Sequence, residues 1–120
     1  MKKLSLILLS LSLSLVAFAQ NDLKVDFCSK SANEIKIKDL LNCKLISVNN
    51  PDYKVASYTL GFKTGNDYKE FKFSDNGLSE KAIEIIKSHN PSVVYIEQIV
   101  LINKQGEKVK PTENCAKINR

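Results

Sequence analysis

The sequence is poor in the residues that build metal centres and catalytic sites. Its 120 residues include one histidine and no tryptophan, and its three cysteines form no CxxC pair. A zinc site needs Cys, His or carboxylate ligands at characteristic spacings, and one histidine does not complete the usual set. The chain also has no Gly-x-Ser-x-Gly and no phosphate-loop motif. We therefore expect no metal and no cofactor.

Long apolar runs are missing as well, except near the start of the chain. A basic start precedes an apolar run of thirteen residues, 4–16, and residues 17–19 form a small-x-small cleavage site. A membrane span needs about 20 apolar residues, so the run is too short for an anchor. The pattern predicts a cleavable signal peptide over residues 1–19, with cleavage between Ala19 and Gln20.

Removal of nineteen of the 120 residues leaves 101, enough for one domain but not for two. The formal net charge falls from +5 to +3, because Lys2 and Lys3 belong to the signal. The remaining lysines are scattered, whereas a nucleic-acid-binding protein needs a clustered basic patch. No cysteine directly follows Ala19, which argues against a lipid anchor. We expect a periplasmic or secreted protein with no membrane span after signal removal and no nucleic-acid partner.

Three cysteines, Cys28, Cys43 and Cys115, lie in the predicted mature chain. An oxidising compartment permits one disulfide among them and leaves one thiol over. The pairing does not follow from the sequence. A bridge from Cys28 or Cys43 to Cys115 would close a long loop and contribute about 4 kcal/mol. Three buried thiols are the alternative, and a free thiol of low pKa would indicate a redox-sensitive protein.

Short strands separated by turns account for most of the mature chain. Residues 20–34 predict a polar N-terminal arm with a short strand at 24–27, and residues 35–120 predict a single β-rich domain. β-Branched and aromatic residues predict the further strands, which are expected over 44–48, 53–62, 68–73, 93–103, near 109 and over 116–118. The fold class is therefore mainly β, a sandwich or partial barrel.

The longest predicted strand, 93–103, is apolar on both faces, which is typical of a central strand covered on each side. Strict alternation assigns its side chains to two faces, one with Val94, Ile96, Val100 and Ile102, the other with Val93, Tyr95, Ile99 and Leu101.

One short α-helix is predicted, over about residues 79–88. Ser79 is suited to cap its N-terminus, and Asn90 followed by proline is typical of a helix end. A single turn is expected at residues 39–41.

Two residues are candidates for catalysis, and neither has a partner that the sequence identifies. Glu97 interrupts the apolar strand, and burial beside a second acid would raise its pKa. His89 falls at the C-terminal end of the predicted helix, where the dipole favours a surface cation. No catalytic residue is therefore assigned, although a small secreted enzyme or inhibitor remains the alternative function.

Several segments resemble the C-terminal domain of the gliding-motility protein GldM, a family associated with type IX secretion in Bacteroidetes. The similarity extends over about residues 35–118 and rests on structural motifs at residues 37–41, 55–60, 74–78, 96–99 and Gly106. It implies an immunoglobulin-like β-sandwich that contacts partners in the bacterial envelope. The predicted signal in place of a membrane anchor, and one domain in place of several, separate this chain from the family's architecture.

These observations predict a non-enzymatic protein-binding module that contacts an envelope or secreted protein. A sandwich binds partners through an exposed strand edge or through the loops at its ends. The loops at residues 49–52, 64–67 and 105–108 are the candidates.

Overall fold

The computed structural model describes residues 22–120, so the predicted signal peptide and its cleavage site lie outside the described residues. The strands are β1 (Val25–Phe27), β2 (Ile46–Val48), β3 (Tyr53–Thr64), β4 (Asp67–Phe73), β5 (Val93–Asn103), β6 (Lys108–Val109) and β7 (Ala116–Asn119). Two α-helices, α1 (Ile37–Cys43) and α2 (Glu80–His89), and a short 3-10 helix (Ala32–Glu34) complete the described elements. The prediction of a mainly β fold is confirmed.

The strands form two antiparallel sheets. In the larger sheet β3 lies between β4 and β5, and the far side of β5 is shared by β7 and β6. The smaller sheet consists of β1 and β2 alone. Among residues 22–120, β4 is therefore an edge strand with one side unpaired.

A two-residue loop joins β3 to β4. Thr64 pairs with Asp67, so only Gly65 and Asn66 lie between the strands. Gly65 has φ +66° and Asn66 does not have a positive φ, the pattern of a hairpin turn that requires glycine at its first central position. Both strands consequently extend further into the loop than the sequence predicts.

The core lies on one face of the larger sheet. β3 supplies Val55, Tyr58, Leu60 and Phe62 to it, and β5 supplies Val94, Ile96, Ile99 and Leu101. These residues do not follow strict alternation, because the β3–β5 pairing changes register twice. The change between Val55 and Ser57 adds one residue to β3, and the change between Ser57 and Thr59 adds one residue to β5. Each extra residue forms a β-bulge.

The bulge in β5 overturns the predicted assignment of its faces. Gln98 has φ +49° and is the extra residue between the pairs Thr59–Glu97 and Ser57–Val100. The inserted residue exchanges the two faces, so Ile99 joins Val94 on the buried side, while Val100 turns to the opposite face. β5 is central in the sheet, but only one of its faces is fully buried.

Helix α2 covers the core face and begins and ends where the sequence predicts. The Ser79 hydroxyl accepts a hydrogen bond from the Ala82 amide at 3.2 Å, and Asn90 takes the left-handed conformation after the last turn. Ile83 and Ile86 are buried against the sheet. The cap therefore satisfies an amide that the helix itself leaves without a partner.

Helix α1 is longer than the single predicted turn. Ile37 and Leu40 are spaced three residues apart and are both buried, so tertiary packing stabilises a helix of seven residues. Lys44 then adopts a left-handed conformation with φ +61°, and its amide donates to the Leu40 carbonyl. This helix end also explains why β2 starts at Ile46 rather than at residue 44.

The N-terminal segment belongs to the same core. The predicted strand in this segment is confirmed as β1, and Leu23 and Phe27 are 5% and 1% exposed. The Leu23 carbonyl accepts a hydrogen bond from the Thr112 amide at 2.8 Å. The segment is therefore integrated into the fold rather than extended from it.

Candidate functional site

The second face of the larger sheet is accessible. Partners in an antiparallel register place their side chains on the same face, so the pairing identifies its members. We call it the open face, and it comprises Lys54, Ser57, Thr59, Gly61, Lys63, Tyr68, Glu70, Lys72, Val93, Tyr95, Glu97, Val100, Ile102, Lys108, Lys117 and Asn119. All of these residues are exposed or half-buried except Thr59 and Gly61.

The open face carries the excess positive charge of the described residues. Residues 22–120 contain sixteen basic and thirteen acidic side chains, because two of the chain's 18 basic residues are Lys2 and Lys3. Five lysines and two glutamates lie on the open face. The other eleven basic and eleven acidic residues cancel in sum. The net charge of +3 therefore resides formally on this one face.

Tyr68, Gly61 and Glu97 form the centre of the open face. The Tyr68 side chain crosses β3 above Gly61, and its hydroxyl donates a hydrogen bond to the Glu97 carboxylate. A Cβ atom on Gly61 would lie 2.7 Å from Cζ of Tyr68, so only glycine leaves room for the ring in this position. Tyr95 lies beside it, with the two ring centroids 6.2 Å apart.

Electrostatics at this centre keep the Tyr68 phenol protonated. Burial of the hydroxyl and its hydrogen bond to the negatively charged Glu97 both raise the pKa of Tyr68 well above its ordinary value. The phenol therefore stays a hydrogen-bond donor even at a pH where an ordinary tyrosine ionises, and Glu97 is its acceptor. A protonated phenol of this kind is a poor general base.

The bulge in β5 is held by its own hydrogen bond. The Thr59 hydroxyl donates to Oε1 of Gln98 at 3.2 Å, and Thr59 is only 3% exposed. Satisfying a buried hydroxyl avoids the cost of an unpaired polar group. This contact ties the central strand to the extra residue that turns Val100 and Ile102 outward.

Neither catalytic candidate finds the partner that its proposed role requires. Glu97 is half-buried, and its side-chain hydrogen bond is to the Tyr68 hydroxyl rather than to a second acid. His89 is exposed at the end of α2, where Nδ1 donates to the Ile85 carbonyl at 2.9 Å and the ring packs on Phe62. The fold places these two candidates apart, since Glu97 lies on the open face and His89 on the helix that covers the core.

Two of the three cysteines are joined. Cys28 and Cys43 form a disulfide with their Cα atoms 6.0 Å apart, and Cys115 is free and exposed. The bridge therefore closes a loop of 15 residues instead of the longer loop that pairing with Cys115 would make. Burial and the nearby charge of Glu97 raise the pKa of the Cys115 thiol. A redox-reactive thiol needs the opposite shift.

The fold brings together two of the three loops that the sequence predicts as contact sites. Residues 49–52 and 105–108 lie at one end of the sheet, where Tyr53 pairs with Asn103 and Asp52 forms an ion pair with Lys104 at 3.4 Å. A shallow pocket of about 340 Å³ separates them. The loop at 64–67 is the β3–β4 turn at the other end of β3.

A larger cleft, of about 660 Å³, opens at the edge of the sheet between the N-terminal segment and β7. Phe27 and Ile99 contribute apolar lining, while Glu113 and Lys117 bring charges of opposite sign. Lys117 also belongs to the open face, so the cleft adjoins that face, and Cys115 lies in the same lining.

Within the described part of the chain, no three His, Cys, Asp or Glu side chains lie together in a way that would hold a metal ion. No helix of residues 22–120 combines the length and apolar character needed to cross a membrane.

The sequence does not reveal the open face as a unit. Its lysines come from four different strands and are separated by up to 63 residues, from Lys54 to Lys117. Simple alternation places Glu70 with Lys72 on one side of β4, and Val93 with Tyr95 on one side of β5, but it does not show that these sides belong to one face. Gln98, the residue at which the faces exchange, carries no sequence signal, because glutamine is not a residue that favours positive φ.

Comparison with known proteins adds no relative: no protein-family model, no curated protein and no solved structure matches this chain.

Proposed function

We propose that this chain is an exported, non-enzymatic protein-binding module of the bacterial envelope, and that it docks an acidic protein surface on its open face. The single observation that carries the proposal is the location of the net charge. Five lysines and two glutamates lie on one accessible sheet face, while the charges elsewhere in residues 22–120 cancel in sum. Complementary charge steers association and discriminates against basic partners.

The apolar part of the open face suits a protein partner. Tyr68 is 42% exposed, and Tyr95, Val100 and Ile102 are half-buried. Tyrosine is enriched at protein interfaces because it combines a large apolar ring with a hydrogen-bonding hydroxyl. An interface with two tyrosines near its centre and lysines around them has the arrangement of a contact core with a polar rim.

The disulfide supports the proposed location. Disulfides persist in oxidising compartments and are rare in the cytosol. The Cys28–Cys43 pair therefore agrees with export by the predicted signal peptide to the periplasm or the medium.

The resemblance to the GldM C-terminal domain leads us to propose an immunoglobulin-like arrangement and a partner in the gliding or type IX secretion machinery. In support, Phe27 of β1 and Ile46 of β2 belong to the same core as the larger sheet, so the β1–β2 sheet packs as a partial second layer. Helices α1 and α2 add Leu40, Ile83 and Ile86 to the same core.

The proposal is tested by capture from the native cell envelope with tagged, exported protein and chemical crosslinking. Three forms are compared: the unchanged protein, Lys63→Glu/Lys117→Glu on the open face, and Lys81→Glu/Lys87→Glu on exposed positions of α2. The proposal predicts an acidic protein that the unchanged and helix-variant forms retain and the open-face variant loses. Equal recovery by all three forms would overturn it.

A further inference from the structure

We propose that the unpaired edge of β4 pairs with a second copy of this chain. The two copies join antiparallel along β4, centred on Phe71, and form one continuous ten-stranded sheet. The inference concerns the strand edge and does not rest on the open-face proposal.

The hairpin determines which backbone groups of β4 are available. In a two-residue hairpin the flanking residues, here Thr64 and Asp67, exchange hydrogen bonds, and the pattern then alternates along the ladder. Residues 67, 69, 71 and 73 consequently direct their amides and carbonyls toward β3. The amides and carbonyls of Tyr68, Glu70 and Lys72 point away from the sheet, toward a further strand.

The edge is regular enough to accept such a strand. The β3–β4 register is continuous from Tyr58–Phe73 to Thr64–Asp67, with no bulge. No proline interrupts β4. Edge strands that must stay unpaired usually carry bulges, prolines or charges, and of these β4 carries only charges.

The charges on β4 select one register for self-pairing. A two-fold axis perpendicular to the sheet places one residue opposite its own copy, and that residue defines the register. Centring on Lys69, Glu70 or Lys72 would oppose two like charges, which is destabilising. Centring on Tyr68 or Phe73 would overlap no more than three residues of β4. Centring on Phe71 opposes two phenylalanines instead.

The register centred on Phe71 also pairs opposite charges twice. Glu70 of each copy then lies opposite Lys72 of the other, and these are the residues whose backbone groups point outward. Lys69 lies opposite Phe73, where an ammonium group is attracted to an aromatic face. On the core side, Phe71 already packs against Phe62 with ring centroids 6.0 Å apart, so the two Phe71 rings extend an existing aromatic cluster.

The test is a charge exchange, measured by sedimentation in protein purified after export. All forms carry Cys115→Ser, which prevents a disulfide between copies from mimicking the proposed dimer. The forms are the parent, Glu70→Lys, Lys72→Glu, the double exchange Glu70→Lys/Lys72→Glu, and the control Glu84→Lys on the exposed side of α2. Circular dichroism establishes that each form is folded.

We expect a reversible dimer in the parent between about 1 μM and about 1 mM protein. Each single reversal should raise the dissociation constant about tenfold or more, while the double exchange and the Glu84→Lys control stay within about threefold of the parent. A parent that is monomeric up to about 1 mM would overturn the proposal. A dimer that survives both single reversals, or that the double exchange does not restore, would overturn it equally.

Discussion

The Tyr68 hydroxyl donates a hydrogen bond to the Glu97 carboxylate across β3, at the one position on that strand where glycine leaves room for the ring. The contact joins the edge strand β4 to the central strand β5 without passing through the core. It also directs two polar groups of the open face toward each other rather than toward a substrate. The geometry favours a structured contact surface over a catalytic pair.

The Gly61→Ala substitution should separate Tyr68 from Glu97. The added Cβ would occupy the space of the phenol ring, and the exposed side chain would swing away. We expect the pKa of Tyr68 to fall toward its ordinary value, with the free energy of unfolding changed by less than about 1 kcal/mol. A pH titration of the tyrosine ring carbons by NMR measures the shift, and Tyr68→Phe identifies the resonance. An unchanged titration in Gly61→Ala would contradict the geometry.

The protein should lose stability at high pH as the buried Tyr58 ionises. Its hydroxyl donates to the Gly77 carbonyl at 3.0 Å in the core, and burial together with the charge of Asp75 raises the pKa of Tyr58 from 10.0 to about 12. Because the pKa of Tyr58 is higher in the folded than in the unfolded protein, the contribution of this shift to the free energy of unfolding is complete below pH 10 and is lost as the pH rises to about 12. The shift corresponds to about 3 kcal/mol.

The measurement is urea unfolding of the unchanged protein and Tyr58→Phe across this pH range. At pH 7 the variant should be less stable by about 1 kcal/mol, because the Gly77 carbonyl loses its partner. Above pH 10 the difference should shrink and then change sign. A difference that stays constant with pH would show that Tyr58 does not titrate as described.

Deletion of Val100 should cost far more stability than deletion of Gln98. Gln98 is an extra residue, so without it simple alternation keeps Ile99 and Leu101 on the buried face, whereas without Val100 the alternation turns Leu101 and the following residues over. We expect the Gln98 deletion to cost about 1–3 kcal/mol, because the buried Thr59 hydroxyl loses its partner. The Val100 deletion should cost more than about 4 kcal/mol or prevent folding, as measured by chemical denaturation. Equal losses from the two deletions would refute the bulge.

The disulfide should stabilise the N-terminal half of the fold. Replacing Cys28 and Cys43 by serine removes the constraint on a loop of 15 residues, which is worth about 3 kcal/mol. Cys115→Ser removes an exposed thiol and should change the free energy of unfolding by less than about 0.5 kcal/mol. Thermal unfolding of the two variants measures both effects, and a larger loss from Cys115→Ser would place the disulfide elsewhere.

Local chemistry explains which parts of this fold the sequence predicts. The span of β5 follows from its β-branched residues, and the ends of α2 follow from Ser79 and Asn90, since caps act within a few residues. The sequence does not predict the full length of helix α1, because the helix is stabilised by the burial of Ile37 and Leu40 against distant parts of the chain rather than by the helix propensity of its own seven residues. The pairing of Cys28 with Cys43 depends on the same packing.

The candidate site was much less predictable than the strands. Alternation along β5 assigns Val100 to the wrong side, because one glutamine in a left-handed conformation reverses the pattern. The lysines of the open face meet only after β3, β4, β6 and β7 are in register through β5, so no window of the sequence contains them together. A surface assembled by long-range pairing has no local signature.

The most direct test of the open face as a docking surface is site-specific photo-crosslinking in the native envelope. A photoreactive residue is placed at Tyr95 on the open face or at Lys87 on α2, and capture is compared at about 0.1 M and about 1 M salt, where the screening length falls from about 10 Å to about 3 Å. We expect crosslinks to an acidic protein from Tyr95 that weaken at high salt, and no such crosslinks from Lys87. Equal capture from both positions, or capture from Tyr95 that salt does not weaken, would contradict it.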